Sequence, residues 1–386
     1  MKKIVIWFFA VLLTPVLLFV VLAVLLYLPP VQNWVADKVA SIVSEKTGMT
    51  VRVGYVKLEW PLNLGLDDFL MVHEGDTLAD VGHLTADVKL RPLFDKRVVI
   101  NELSLNRAKL NTNGFISDLR LKGRVGELWL HSNGIDLERE TAEVNGARLV
   151  DADLDIALSD TAAVDTTESV VRWRINADSV SISRTRLALH MPGDSLHVNA
   201  YLGHSVAREA DINLESKTYR IGGLDMVDGD FSLSSVDYQL ADVQLGVDSI
   251  YYGPEGTHFY VRQAALREPV TGLQLTELQG GIRLDTAFTH ITLPAVVLRT
   301  PDSDIEGEVD LDFNTFDAHN PGKLRTRLNA QIGKQDLVRL ASLSLGHSLS
   351  SQFWRRYPNR ALTIKGSLNG NMQRLEFTGL DVSLPT

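Results

Sequence analysis

Asp151, Asp153 and Asp155 alternate along the chain and present the opening D-x-D-x-D of a calcium loop. Such a loop needs a glycine for its sharp turn and a bidentate glutamate at its end. Ile156 and Ala162 stand there instead, so the spacing fits the polar face of a β-strand better than a cation site. His190, His197 and His204 recur at a regular interval. That interval reverses face on a strand, and Pro192-Gly193 interposes a turn, so the three imidazoles are not expected to converge on zinc. The chain has no nucleophile elbow, no glycine-rich phosphate loop and no H-E-x-x-H helix. It has no cysteine, which removes thiolate catalysis and Cys-ligated metal. The other carboxylates sit at alternating polar positions, where solvation is their ordinary role. The sequence therefore predicts no catalytic residue, no metal and no cofactor, and reads as a non-enzyme.

The elements around these residues begin with a membrane anchor. Lys2-Lys3 precedes an uncharged apolar run from Ile4 to Leu28, which Pro29-Pro30 closes. As a helix the run is about 37 Å long, enough to cross a hydrocarbon core of about 30 Å with tilt. It is too long for a signal peptide and lacks a small-residue cleavage site, so residues 1–30 read as an uncleaved anchor. The two lysines place the short N-terminus in the cytoplasm and the bulk across the membrane, in a periplasm-like space. Residues 31–48 follow as an amphipathic helix, with Val31, Trp34, Val35, Val39, Ile42 and Val43 on its apolar side. The net charge of −10 argues against nucleic acid, which needs a basic footprint.

From Met49 onward the apolar period changes to two. Leu84, Ala86, Val88 and Leu90 alternate with polar residues, as do Val150, Ala152, Leu154 and Ile156, and then Val309, Leu311 and Phe313. Leu103/Leu105 and Ile212/Leu214 are shorter examples. Turn signals punctuate the run: Asn113-Gly114, Asn133-Gly134, Asn145-Gly146, Pro192-Gly193-Asp194, Asp228-Gly229, Pro254-Glu255-Gly256 and Asn369-Gly370. Gly222-Gly223 and Gly280-Gly281 read as bulges or bends within strands. One face apolar and one polar is the signature of antiparallel sheet wetted on one side. A helical period over about 335–357 predicts a helix inserted between late strands.

The ordered set of features resembles a known family. After the span come Leu28-Pro29-Pro30-Val31-Gln32-Asn33-Trp34, the amphipathic helix, and Thr47-Gly48-Met49-Thr50-Val51-Arg52-Val53-Gly54. Asp87-Val88-Lys89-Leu90-Arg91-Pro92-Leu93-Phe94 leads on to Val98-Val99-Ile100-Asn101-Glu102-Leu103-Ser104-Leu105. Residues 1 to about 112 look like the N-terminal region of the AsmA-like superfamily, especially its TamB branch, the inner-membrane part of the translocation and assembly module. The late segment from Leu362 to Gly370 resembles that family's recurrent strand ending. TamB proteins are usually longer and end in a domain that meets an outer-membrane partner. That domain is not recognisable here, which leaves a fragment or a shorter AsmA-type relative as the alternatives.

The resemblance implies a mainly β fold over 49–386, an elongated antiparallel sheet folded as an open half-pipe and apolar inside. It implies a single-pass protein of a bacterial inner membrane that carries phospholipid to the outer membrane. The alternative it offers is an assembly factor working with an outer-membrane β-barrel partner. From alternation alone, a β-sandwich or barrel core is the simpler reading; the anchor and the resemblance favour the groove. On that basis the expected groove-lining residues are Leu84, Ala86, Val88 and Leu90; Leu103, Leu105, Val150 and Leu154; and Ile156, Ile212, Leu214, Leu311 and Phe313.

Overall fold

The computed structural model describes residues 30, 34, 50–59, 63–89, 99–112, 119–136, 139–158, 172–191, 196–233, 238–315, 317, 319–345, 351–371 and 373–384. The anchor therefore lies outside the described residues, apart from Pro30. So does the amphipathic helix apart from Trp34, which is helical and 61% exposed. Among the described residues no helix is long and apolar enough to cross a membrane.

The described chain is mainly β, with 18 strands in one sheet. The first five are β1 (Thr50–Glu59), β2 (Asn63–His73), β3 (Asp76–Val88), β4 (Val99–Asn111) and β5 (Leu119–Asp136). Next are β6 (Thr141–Val150), β7 (Asp153–Leu158), β8 (Arg174–Met191), β9 (Leu196–Asn213) and β10 (Thr218–Leu233). Then come β11 (Tyr238–Gly253), β12 (Gly256–Arg267), β13 (Gln274–Leu284) and β14 (His290–Arg299). β15 (Asp304–Asp312), β16 (Leu324–Ile332), β17 (Leu362–Asn371) and β18 (Arg374–Ser383) complete the sheet. Apart from the step at β6 to β8, each strand pairs with the next in a long antiparallel meander, the arrangement that short connections favour. β6 and β7 lie end to end and together face β5. One step departs from the expected pattern, because β8 runs parallel to both β6 and β7.

The strands are not straight alternators. Left-handed residues interrupt them at Asp68 (φ 53), Arg107 (φ 57), Asp151 (φ 54), Arg184 (φ 48) and Asp228 (φ 59). The registers bring these into a single row with glycines, in the order Gly54, Asp68, Gly82, Arg107, Gly126, Asp151, Arg184, Gly203, Asp228. A left-handed residue in a strand acts as a bulge: it bends the strand and resets which side chains share a face. Stacked from β1 to β10, these resets make one common fold line. A second, shorter line passes through Glu209 (φ 54), Gly222 and Ser249 (φ 55). The glycines serve close approach: a Cβ on Gly203 would sit 2.6 Å from the Asp228 carbonyl oxygen.

Four expected turn signals are found inside strands instead. Asn133-Gly134 lies in β5, Asn145-Gly146 in β6, Asp228-Gly229 in β10 and Asn369-Gly370 in β17. Tolerance of left-handed backbone serves a bend in a strand as well as a reversal. Pro254-Glu255 does make a turn, between β11 and β12. Gly280-Gly281 sits at a register irregularity in β13, as a strand bend would.

The late insertion is two helices, α1 (Lys334–Leu345) and α2 (Ser351–Arg356), between β16 and β17. A buried polar knot fastens α1 to the β14–β15 turn. Asp336, 2% exposed, accepts hydrogen bonds from the Thr300 hydroxyl, from Ser303 Oγ at 2.6 Å and from Arg339 at 3.1 Å. Ser303 Oγ in turn accepts the Gly333 amide at 3.0 Å.

Two stability measurements check this account. Gly203→Ala should destabilise by about 2 kcal/mol through overpacking against backbone. Gly65→Ala, whose Cβ would meet only ordinary contacts at 3.6–3.7 Å, should be close to neutral in the same denaturant titration. Equal losses at both sites would refute the fold line. Asp336→Asn should cost about 2 kcal/mol, as hydrogen bonds to a charged group do. Its amide-exchange signature should be faster opening of α1 with the sheet protected; a uniform change would contradict the local knot.

Candidate functional site

Following the registers across the sheet gives one apolar face. On each early strand it shows two apolar residues, a skip at the fold line, and two more. Examples are Ala79, Val81, Leu84 and Ala86 on β3, and Leu103, Leu105, Ala108 and Leu110 on β4. β5 continues with Val125, Leu128 and Leu130, and β6 with Ala147 and Leu149. β8 adds Val180, Ile182 and Leu187, and β9 adds Ala200, Ala207 and Ile212. Later strands keep the row going through Leu224, Val247, Val261, Gly280, Val296, Gly307, Leu328 and Gly366. With β6 and β7 sharing a position, the face is about 80 Å long at about 4.8 Å per strand.

The packing on this face is thin. Val81, Ala108, Val125 and Ala152 are buried together, with Phe69, Leu105, Leu128 and Leu149 packed against them. A second cluster joins Ala142, Val144, Ala177 and Ala210, and a third joins Leu202, Met226 and Val243. Each cluster draws only on neighbouring strands. Among the described residues, repeated close backbone approaches are confined to ladder neighbours. Among the described residues the largest fully buried side chains are Thr185, Thr315 and Asp336, all polar. A closed sandwich core of this length would instead hide leucines and phenylalanines to that degree. Here they remain partly open.

The expected lining residues divide as follows. Leu84, Ala86, Leu103, Leu105, Leu154, Ile156, Ile212 and Leu311 occupy the apolar face by register. Val150 does not: it pairs with Glu127, while Leu149 pairs with Leu128. The left-handed Asp151 resets the alternation between Val150 and Ala152, so Val150 is out of phase with Ala152, Leu154 and Ile156. Val88 is in register with Ile100 at the end of β3. Leu90 lies outside the described residues. Leu214 and Phe313 fall just past their strands, where their amides donate to Trp173 at 3.0 Å and Thr289 at 2.8 Å. Phe313 is 51% exposed. Val31, Val35, Val39, Ile42 and Val43 lie outside the described residues.

Sequence reading missed Phe69, Val81, Ala108, Val125 and Leu128. Their signal was present as the spacing i, i+2, i+5, i+7, with a glycine or aspartate in the gap on β2, β3 and β5 and Asn106-Arg107 in the gap on β4. Strict alternation catches only one half of such a strand.

The opposite face is polar and wet. Arg184 grips Asp151 with two hydrogen bonds, at 2.7 and 2.9 Å, and holds that carboxyl below its usual range. Arg208, Asp225, Arg262 and Asp248 form a zigzag across β9 to β12, in which Arg208 chiefly lowers Asp225. Exposed pairs of this kind contribute little individually. His190 and His197 face each other across a hairpin, Nδ1 to Nδ1 at 2.8 Å, and His204 turns away to Ser183. Among the described residues no group of three or more His, Asp or Glu is placed to hold a metal ion. A concavity of about 980 Å³ crosses β12 to β18, with Glu306, Arg327 and Lys365 beside Gly280, Gly307 and Gly366.

At the rim, the His290 imidazole contacts the Asp312 carboxylate at 2.6 Å, which raises His290 above its ordinary 6.5. The Lys323 amide and then His290 hold Asp312 below 3.8. The histidine contribution is full below 6.5 and fades as pH rises through the raised value. The aspartate contribution is full above 3.8 and fades as pH falls below it, so the pair is complete between these limits. An NMR titration of His290 should give a midpoint above 6.5 that Asp312→Asn moves down; a wild-type midpoint at or below 6.5 would contradict the contact. No family model, no curated protein and no solved structure matches the chain.

Proposed function

We propose that this chain is an AsmA-like, TamB-type protein of a bacterial inner membrane. In this reading its sheet is an open half-pipe whose apolar face carries phospholipid acyl chains toward the outer membrane, without catalysis. The observation that carries it is the apolar face itself: it is continuous across β1 to β18, and its large side chains are only partly covered by the protein. The aligned fold line supports the half-pipe, because bulge-like residues bend strands and their alignment lets the bends add across a sheet. The sequence resemblance over residues 1 to about 112 supports the family, and the apolar run before Pro29 supports the anchor.

The energetics favour such a carrier. A phospholipid has some thirty methylene groups, and wetting them costs on the order of 20 kcal/mol at about 0.8 kcal/mol each. An apolar track removes most of that barrier with no reacting group. It asks only for interchangeable aliphatic residues on one face, which the sheet provides.

The test is a matched pair on one strand. Leu105 lies on the apolar face and Ser104 on the polar one. Leu105→Asp should lower lipid transfer between donor and acceptor vesicles at least tenfold, while Ser104→Asp should leave it unchanged. Circular dichroism and thermal melting would confirm that both variants fold. Equal transfer by the two folded variants would sink the proposal.

A further inference from the structure

Of the three regularly spaced histidines, the fold brings two together. His190 near the end of β8 and His197 near the start of β9 stand directly opposite each other in the ladder. Both lie on the polar face, because Leu189 and Val198, the pair next to them, belong to the apolar one. Their Nδ1 atoms are 2.8 Å apart, with the rings tilted by 65° and their centroids separated by 5.0 Å. His204 turns to Ser183 and takes no part.

Two ring nitrogens this close repel unless something positive lies between them. A neutral imidazole carries one N–H and one lone pair, and the partner of one nitrogen decides which of the two keeps the proton. For His190 that partner is Asp155 on β7. Its Oδ1 lies 3.3 Å from His190 Nε2. That oxygen is buried and makes no other hydrogen bond. A buried acceptor calls for a donor, and the Nε2–H tautomer of His190 supplies one. The same tautomer leaves a bare lone pair on Nδ1, the atom that faces His197. Carboxylate, imidazole and cation in this order are the arrangement by which proteins hold a metal-bound histidine.

The separation selects the cation. Two imidazole nitrogens held about 2.0 Å from one ion are about 2.8 Å apart at the right angle of a square-planar site, and about 3.3 Å apart in a tetrahedral one. The observed 2.8 Å fits the first. Square-planar nitrogen coordination suits Cu(II), which also binds a given site more tightly than its neighbours in the series do. Two protein ligands can therefore hold copper where zinc sites use three or four. Water has access to the remaining positions, because His197 is exposed and the His190 side chain is 34% open.

We propose that His190 and His197 form a cross-strand chelate for Cu(II), with Asp155 as the residue that positions His190. Each ring keeps its proton on Nε2 and gives Nδ1 to the ion. The ion ties β8 to β9 at one end of their ladder, and Asp155 extends the tie to β7. The chelate sits on the face opposite the proposed acyl track, so it does not depend on what that track carries.

The test is a titration of the full chain in detergent with Cu(II), read by calorimetry and electron paramagnetic resonance. The wild type should bind one ion with two equatorial imidazoles. His190→Asn and His197→Asn should each weaken binding at least tenfold and leave no more than one imidazole on the ion. Asp155→Asn should weaken it about tenfold with both imidazoles retained, as loss of such a supporting carboxylate does. His204→Asn should change neither reading. A second measurement needs no variant: one equivalent of Cu(II) should slow amide exchange around His190 and His197 and leave α1 as it was. Absence of binding, binding unchanged by His190→Asn and His197→Asn, or an equal loss with His204→Asn would overturn the proposal. So would tighter uptake of zinc than of copper, or exchange unaltered by the ion.

Discussion

The structure depends on one constraint: a sheet one layer thick has two faces, and this chain makes only one of them fit for water. Ladder hydrogen bonds satisfy the backbone from strand to strand. Arg, Asp and Glu pairs satisfy the polar face. On the other side, leucine, valine and alanine are packed against their neighbours in neighbouring strands and no further. Left-handed residues and glycines line up across the strands beneath this face. The small residues go deepest, as Ala108 at 1% exposed and Val81 at 3% show, while larger side chains keep an open flank.

The fold line is also where conformational cost is concentrated. A non-glycine residue in the left-handed region costs on the order of 1 kcal/mol or more, and the chain accepts that on β2, β4, β8 and β10 and at Asp151 between β6 and β7. Two devices offset it. Glycine stands opposite the left-handed residue, as Gly203 does for Asp228, and leaves room for the close approach. A partner grips the side chain, as Arg184 grips Asp151 from the next strand. The charges that alternate along this line thus have a structural task, which explains why carboxylates recur without forming a reactive or metal-binding group.

Much of this was legible in the residues. The mainly β fold, its antiparallel meander and the late helical insertion each follow from apolar period and breaker residues. The phase resets were not legible, because they depend on a neighbour's register. Asp151 looks like any polar position in an alternating strand until Arg184 and Gly126 are seen flanking it, and so Val150 was placed on the wrong face. Asn133-Gly134 and Asp228-Gly229 carry the composition of turns, and only pairing on both sides shows that they bend strands. The parallel step at β8 leaves no mark in composition at all, since its face pattern is the same in either direction.

The central claim is that lipid tails occupy the apolar face. Photo-crosslinking in lipid-containing membranes tests it most directly, with a photoreactive residue placed singly at Leu128 or at Glu127, neighbours on β5 that register to opposite faces. The account predicts phospholipid adducts by mass spectrometry at position 128 and none at 127. Adducts at both positions alike, or at neither, would contradict it.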